Sequence, residues 1–119
     1  MVKIKRILIA NRGEIALRII RSCKKLNIET VAVMGEFEVK PLHCKEADFH
    51  VKLNGQSLQN TYLSIENIIN AAKDSNVDAI HPGYGFLSEN PEFSLACEKA
   101  KISFIGPSEK TLKQLGKKT

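Results

Sequence analysis

The stretch with the greatest chemical potential is "AIHPGYGFLSEN", residues 79–90. Tyr84 stands there as a flat ring between Gly83 and Gly85. Glycine permits positive φ or close approach of the backbone to a ligand, and it equally serves a plain turn. Tyr84 accordingly either lines a pocket or covers the edge of a sheet. His81 follows an apolar run and precedes Pro82, a context that favours a hydrogen-bonded structural histidine over a general base. Ser88 and Glu89 lie nearby, but no positional pattern makes a hydrolytic triad of them. A second segment is "ANRGE", residues 10–14, and a third is "GPS", residues 106–108. Glu14 falls at the start of a helical pattern, where an acid complements the helix dipole.

These three segments each end an apolar run, so their placement depends on the elements before them. "RILIAN" (6–11), "TVAVMG" (30–35), "DFHVKL" (48–53), "VDAIH" (77–81) and "ISFIG" (102–106) read as strands. Between them, residues 13–27 set Ile15, Ile19, Cys23 and Leu26 at helical spacing among arginines and lysines. Residues 40–47 hold one helical turn, with Pro41 acceptable at its start. Residues 54–63 read as a polar connector. Ser64 caps a helix reaching residue 76, and Asn90-Pro91-Glu92 opens another over 92–100. A final helix starts at Pro107-Ser108. Strands alternating with helices predict an α/β, Rossmann-like three-layer sandwich around a parallel five-stranded sheet. In such sheets ligands lie beyond the carboxyl ends of the strands, so the three segments share one edge. The 119 residues form one domain, without internal repeat or linker.

Several classes of function are excluded. The first strand-to-helix turn has one glycine where G-x-G-x-x-G is needed, and Arg12 is bulky where pyrophosphate must approach. Neither a P-loop nor a G-x-S-x-G motif is present. Cys23, Cys44 and Cys97 are widely spaced, and adjacent His43 and Cys44 do not converge on one metal. We read no metal site and expect reduced structural thiols. The net charge of +5 comes from dispersed lysines, densest at Lys113, Lys117 and Lys118. Few aromatics interleave with them, which argues against nucleic acid. No run is long enough to span a membrane, and no signal peptide is read, so the expected compartment is cytoplasmic, or the mitochondrial matrix in a eukaryote.

Together, "ILIANRGEIALRIIRSCKKLNIETVAV", "AIHPGYGFLSEN" and "FIGPS" resemble the N-terminal domain of biotin carboxylase. The resemblance covers essentially all 119 residues. It implies a pre-ATP-grasp domain, with the ATP-grasp regions lying outside this chain. The reaction implied uses MgATP and bicarbonate to form carboxyphosphate, then carboxylates N1 of biotin on a carrier protein. By motif, Tyr84 and Gly85 lie by the biotin ring, and Lys118 contacts ATP phosphate. No catalytic residue is assigned to this chain, which is expected to be inactive alone. Implied partners are the ATP-grasp domains, the biotin carboxyl carrier protein, a carboxyltransferase and a second copy in a homodimer. Arg21 matches a position near the subunit interface of bacterial enzymes.

Departures are local. "LGKK" stands where the family has "MGDK", with Lys117 at the acidic position, and Lys25 replaces an expected acid. "MGEFEVKPLHCKEAD" differs from the usual "SEADRDALHVRLAD", although His43, Ala47 and Asp48 persist. The alternative reading is a stand-alone Rossmann-like nucleotide-binding or protein-interaction module, for which no phosphate cradle is visible.

Overall fold

The computed structural model describes residues 4–105. Its elements are β1 (Arg6–Ile9), α1 (Gly13–Lys25), β2 (Glu29–Gly35), α2 (Leu42–Glu46) and β3 (Phe49–Leu53). They continue with α3 (Ile65–Asp74), β4 (Ala79–His81), α4 (Pro91–Lys99) and β5 (Ser103–Phe104). The five strands form one sheet in the order β3-β2-β1-β4-β5, and every pairing is parallel. The expected α/β architecture is therefore present. The helix expected from Pro107, the "GPS" segment and Lys118 lie outside the described residues.

Alternation along the strands sends side chains to two cores. Leu8, Val31, Val33 and Ile80 pack with Ile68 and Ala72 of α3 and with Phe93 and Cys97 of α4. Ile7, Ile9, Ala32, Met34 and Ala79 pack with Ile19, Ile20 and Cys23 of α1 and with Cys44 of α2. Helices thus cover both faces, as a parallel sheet requires. All three cysteines are buried and free, and burial pushes the Cys23 and Cys44 thiols up to about 12 and Cys97 up to about 11.

The β1, β3 and β4 ladders are shorter than the runs read as strands, whereas β2 gains Glu29. Asp78, inside the expected fourth strand, instead accepts hydrogen bonds from the Lys5 and Arg6 backbone amides at 2.8 and 3.0 Å. The caps follow the sequence reading. Ser64 Oγ accepts from Asn67 N–H at 3.2 Å, and Asn90 Oδ1 accepts from Glu92 and Phe93 N–H at 2.8 and 3.2 Å. Two readings need correction. Ile15 is only partly buried: it packs at the margin of the α1-side core and lies beneath the turn at Gly83. The connector 54–63 is not simply polar, since Thr61 and Tyr62 are fully buried.

Ile19 is 6% exposed on the sheet-facing side of α1. Ile19→Ala is expected to cost about 2–5 kcal/mol in a urea titration, and a loss below roughly 0.5 kcal/mol would contradict this packing.

Candidate functional site

The strand order places β1 beside β4, although α1, β2, α2, β3 and α3 intervene in the chain. Here the topology switches direction, and here a doubly wound sheet opens a crevice at its carboxyl edge. Two of the three sequence-selected segments meet at this point, the turn after β1 and the loop Pro82–Asn90 after β4.

Asn11 joins them. Its side chain is buried at 1% exposure. The amide Nδ2 donates to the carbonyls of Pro82 at 2.9 Å and Tyr84 at 2.7 Å, and Oδ1 accepts from the Arg12 backbone N–H at 2.8 Å. Both amide hydrogens are therefore used on the loop. Gly83 turns directly over this amide with φ 68°, and a Cβ there would stand 2.6 Å from Asn11 Nδ2 and 3.0 Å from Ile15 Cγ2. Its close approach is to the protein's own Asn11, which favours the turn among the readings open to this glycine. Gly85 differs: at φ 71° its Cβ would meet nothing within 4 Å. Tyr84, between them, is 59% exposed.

His81 closes the strand beneath the loop. Its Nδ1 accepts from Gly83 N–H at 3.1 Å, which puts the ring proton on Nε2. Burial lowers its pKa to about 4, so the ring is neutral and structural, as its strand-end context predicts.

A second support stands behind the loop. Arg12 donates from Nε and Nη2 to Glu38 Oε2 at 3.1 and 2.9 Å. Glu38 Oε1 accepts from Gly35 N–H at 3.0 Å and from the Tyr62 hydroxyl at 2.7 Å. Burial raises the Glu38 pKa, but the hydrogen bonds from Gly35, Tyr62 and Arg12 outweigh it and hold the carboxyl below its ordinary range. Burial and the adjacent carboxylate push the Tyr62 hydroxyl well above its ordinary value. The Tyr62 ring packs on Phe86 at 5.5 Å between centroids. Phe86 sits at φ 47°, a costly conformation for a non-glycine residue, and Leu87 beside it is buried. The loop is thus held from below by Asn11, from the side by Phe86 and Leu87, and at its far end by the Asn90 cap.

Sequence reasoning singled out Tyr84, Gly85 and Arg12 but assigned no role to Asn11, Glu38 or Tyr62. Glu38 and Tyr62 lie in segments without periodicity, 26 and 50 residues beyond Arg12 by subtraction of their numbers. Arg21, expected near a subunit interface, pairs within the chain with Glu46 at 3.2 and 3.1 Å. Among the described residues no group of three His, Cys, Asp or Glu side chains is placed to hold a metal, and no helix is long and apolar enough to cross a membrane.

Fold and site define a doubly wound α/β domain with a built loop at its switch point. The chain belongs to the family described as biotin carboxylase, N-terminal domain, whose sequence profile matches residues 3–112. It is 53% identical to a biotin carboxylase of Halalkalibacterium halodurans, over 96% of this chain and 25% of that protein. It is 47% identical to human mitochondrial pyruvate carboxylase, over 97% of this chain and 10% of that one. The solved pyruvate carboxylase of Rhizobium etli superimposes with a TM-score of 0.83 at 46% identity, over 97% of this chain and 11% of that chain. This chain therefore spans a quarter or less of these relatives.

Asn11→Asp preserves shape but replaces two donors by a carboxylate oxygen facing two carbonyls. It is expected to cost about 2–4 kcal/mol in denaturant, while Asn11→Gln, which keeps the amide, retains folding; a loss below roughly 0.5 kcal/mol for Asp would contradict the clamp. The neutral His81 gives a pH dependence. The unfolded chain binds the proton near 6.5 and the folded one only near 4, so stability is full above 6.5 and falls as pH drops from 6.5 to 4. His81→Asn, which keeps an acceptor for Gly83, should remove roughly 3 kcal/mol of that dependence relative to the parent in urea titrations across the window. Parallel curves for the two proteins would contradict it.

Proposed function

We propose that this chain is the N-terminal domain of a biotin carboxylase component, and that its loop Pro82–Asn90 forms one wall of the biotin pocket in the assembled enzyme. The observation that carries the reading is the contrast between the two loop glycines. Gly83 is packed against Asn11, whereas the space over Gly85 is clear and flanked by the exposed Tyr84 ring. The planar ureido ring of biotin's bent bicycle can approach the backbone at Gly85, where a Cβ would meet nothing within 4 Å. The residues present therefore fit biotin. Lys118, outside the described residues, is assigned to ATP phosphate on its motif alone.

In this reading the domain binds and orients. Bound MgATP supplies the phosphoryl group that activates bicarbonate, and this chain's part is a preset loop against which the biotin ring rests. Asn11 fixes the carbonyl of Tyr84, so the loop loses little conformational entropy when a ring docks. The ATP-grasp regions, a biotin carrier protein and a carboxyltransferase are the partners. A relative, the biotin carboxylase domain of Hydrogenobacter thermophilus 2-oxoglutarate carboxylase, is described as a dimer in complex with MgADP and bicarbonate. This chain is 46% identical to it, over 95% of its own length and 25% of that one, which supports proposing the same ligands and a dimer for the whole enzyme.

The test is a chimera in which residues 3–112 replace the matching domain of the Bacillus subtilis biotin carboxylase, 48% identical to this chain. Bicarbonate- and biotin-dependent ATP hydrolysis is expected in the chimera and absent from the chain alone, because phosphoryl transfer needs cations and metal ligands from other domains. Gly85→Val in the chimera is expected to raise the KM for biotin about tenfold or more and, because φ 71° is strained for a β-branched residue, also to lower the melting temperature. Tyr84→Ala, at an exposed ring, is expected to raise that KM with melting temperature little changed. An inactive but folded chimera, or a Gly85→Val form with unaltered biotin kinetics, would overturn the reading.

A further inference from the structure

Away from the carboxyl-edge loop, a cleft of about 360 Å³ opens between α2 and the outer edge of the sheet, lined by Met34, Lys40, Cys44, Lys45, His50 and Lys52. Its origin is the shortness of α2, which has five residues and covers β2 rather than β3. Parallel register sets His50 beside Ala32 and Lys52 beside Met34, on the face that carries α1 and α2. The floor is buried and apolar, from Met34 and Cys44, and the walls carry cations.

Edge strands often carry lysines to block pairing with other chains. That accounts for His50 and Lys52, but Lys40 and Lys45 belong to the loop before α2 and to α2 itself. Three elements thus bring cations to one cleft. Among the described residues the neighbouring acids are engaged elsewhere. Glu36 accepts from Gln56, Glu38 binds Arg12, Glu46 binds Arg21, and Asp48 accepts from Thr30. No acid lines the cleft itself, so its gathered lysines repel one another, and an anion bound there lessens that repulsion.

We propose that this cleft binds a small dianion carrying a short apolar body, of the organic phosphate or dicarboxylate class, with the charge on Lys40, Lys45 and Lys52 and the body on Met34 and Cys44. The volume suits a small organic ligand and is too confined for a nucleic-acid strand to enter. The site is independent of the biotin reading, since none of its lining residues belongs to the loop or its supports.

The test titrates the folded 119-residue chain with phenyl phosphate, phenylsuccinate, inorganic phosphate and chloride at matched ionic strength, following backbone amide and Met methyl NMR signals. Phenyl phosphate or phenylsuccinate is expected to move the Lys40, Lys45, His50 and Lys52 amides and the Met34 methyl saturably, and more tightly than inorganic phosphate. Lys45→Gln with Lys52→Gln is expected to weaken binding about tenfold or more, with an unchanged melting temperature. Lys73→Gln with Lys99→Gln, on the opposite helices, serves as the control and leaves binding unaltered. The proposal is overturned by shifts spread equally over all surface lysines, by no saturation, or by equal loss in both double variants. It is also overturned by a short duplex DNA moving the cleft signals when the organic anions do not.

Discussion

The buried carboxamide of Asn11 is the contact on which the candidate site depends. It satisfies two carbonyls of a loop some seventy residues later in the chain. An amide is the one common neutral group that offers two hydrogens from a single planar nitrogen while also accepting at oxygen. All three capacities are used. Leaving either loop carbonyl unpaired beneath the turn would carry a desolvation cost comparable to a large part of a domain's net stability. The same contact explains why residue 83 is glycine, since no Cβ fits between the turn and the amide.

That contact exists only because β1 and β4 are neighbours. The chain builds β1, β2 and β3 outward in one direction, then crosses back to lay β4 and β5 on the other side of β1. Two cores, one on each face, hold this arrangement, and the loop adds Leu87 to one of them. The carboxyl edge carries residues that the cores do not use, such as an exposed tyrosine and a glycine with open space beside it. Arg12, Glu38 and Tyr62 add a charged and aromatic brace at the same edge. Because the Glu38 carboxyl is held below its ordinary range by its donors, the brace contributes stability above the unfolded carboxylate pKa and loses it as pH falls through the folded one.

Most of the fold was legible because its signals are local. Continuous apolar runs mark strands buried on both faces, and Ser64 and Asn90-Pro91 announce their helices. The ends were less legible: the strand read over 77–81 ladders only from Ala79, and the Asp78 carboxylate before it accepts from the backbone of Lys5 and Arg6. Tyr62 was hidden in a connector without periodicity, and its burial follows from Glu38 and Phe86, which no local pattern links to it. Gly83 and Gly85 look alike in sequence. Only the position of Asn11 separates a packing glycine from one with open space beside it.

The central claim is that the loop is already built before any ligand arrives. The most direct measurement is the backbone order of the free 119-residue chain by ¹⁵N relaxation, with the Asn11 side-chain amide followed by hydrogen exchange. Order parameters of about 0.85 for Tyr84, Gly85 and Ser88, matching those of α1, are expected together with a slowly exchanging Asn11 amide. Values below about 0.6 across the loop, with the Asn11 amide exchanging as fast as an exposed one, would contradict a preformed wall.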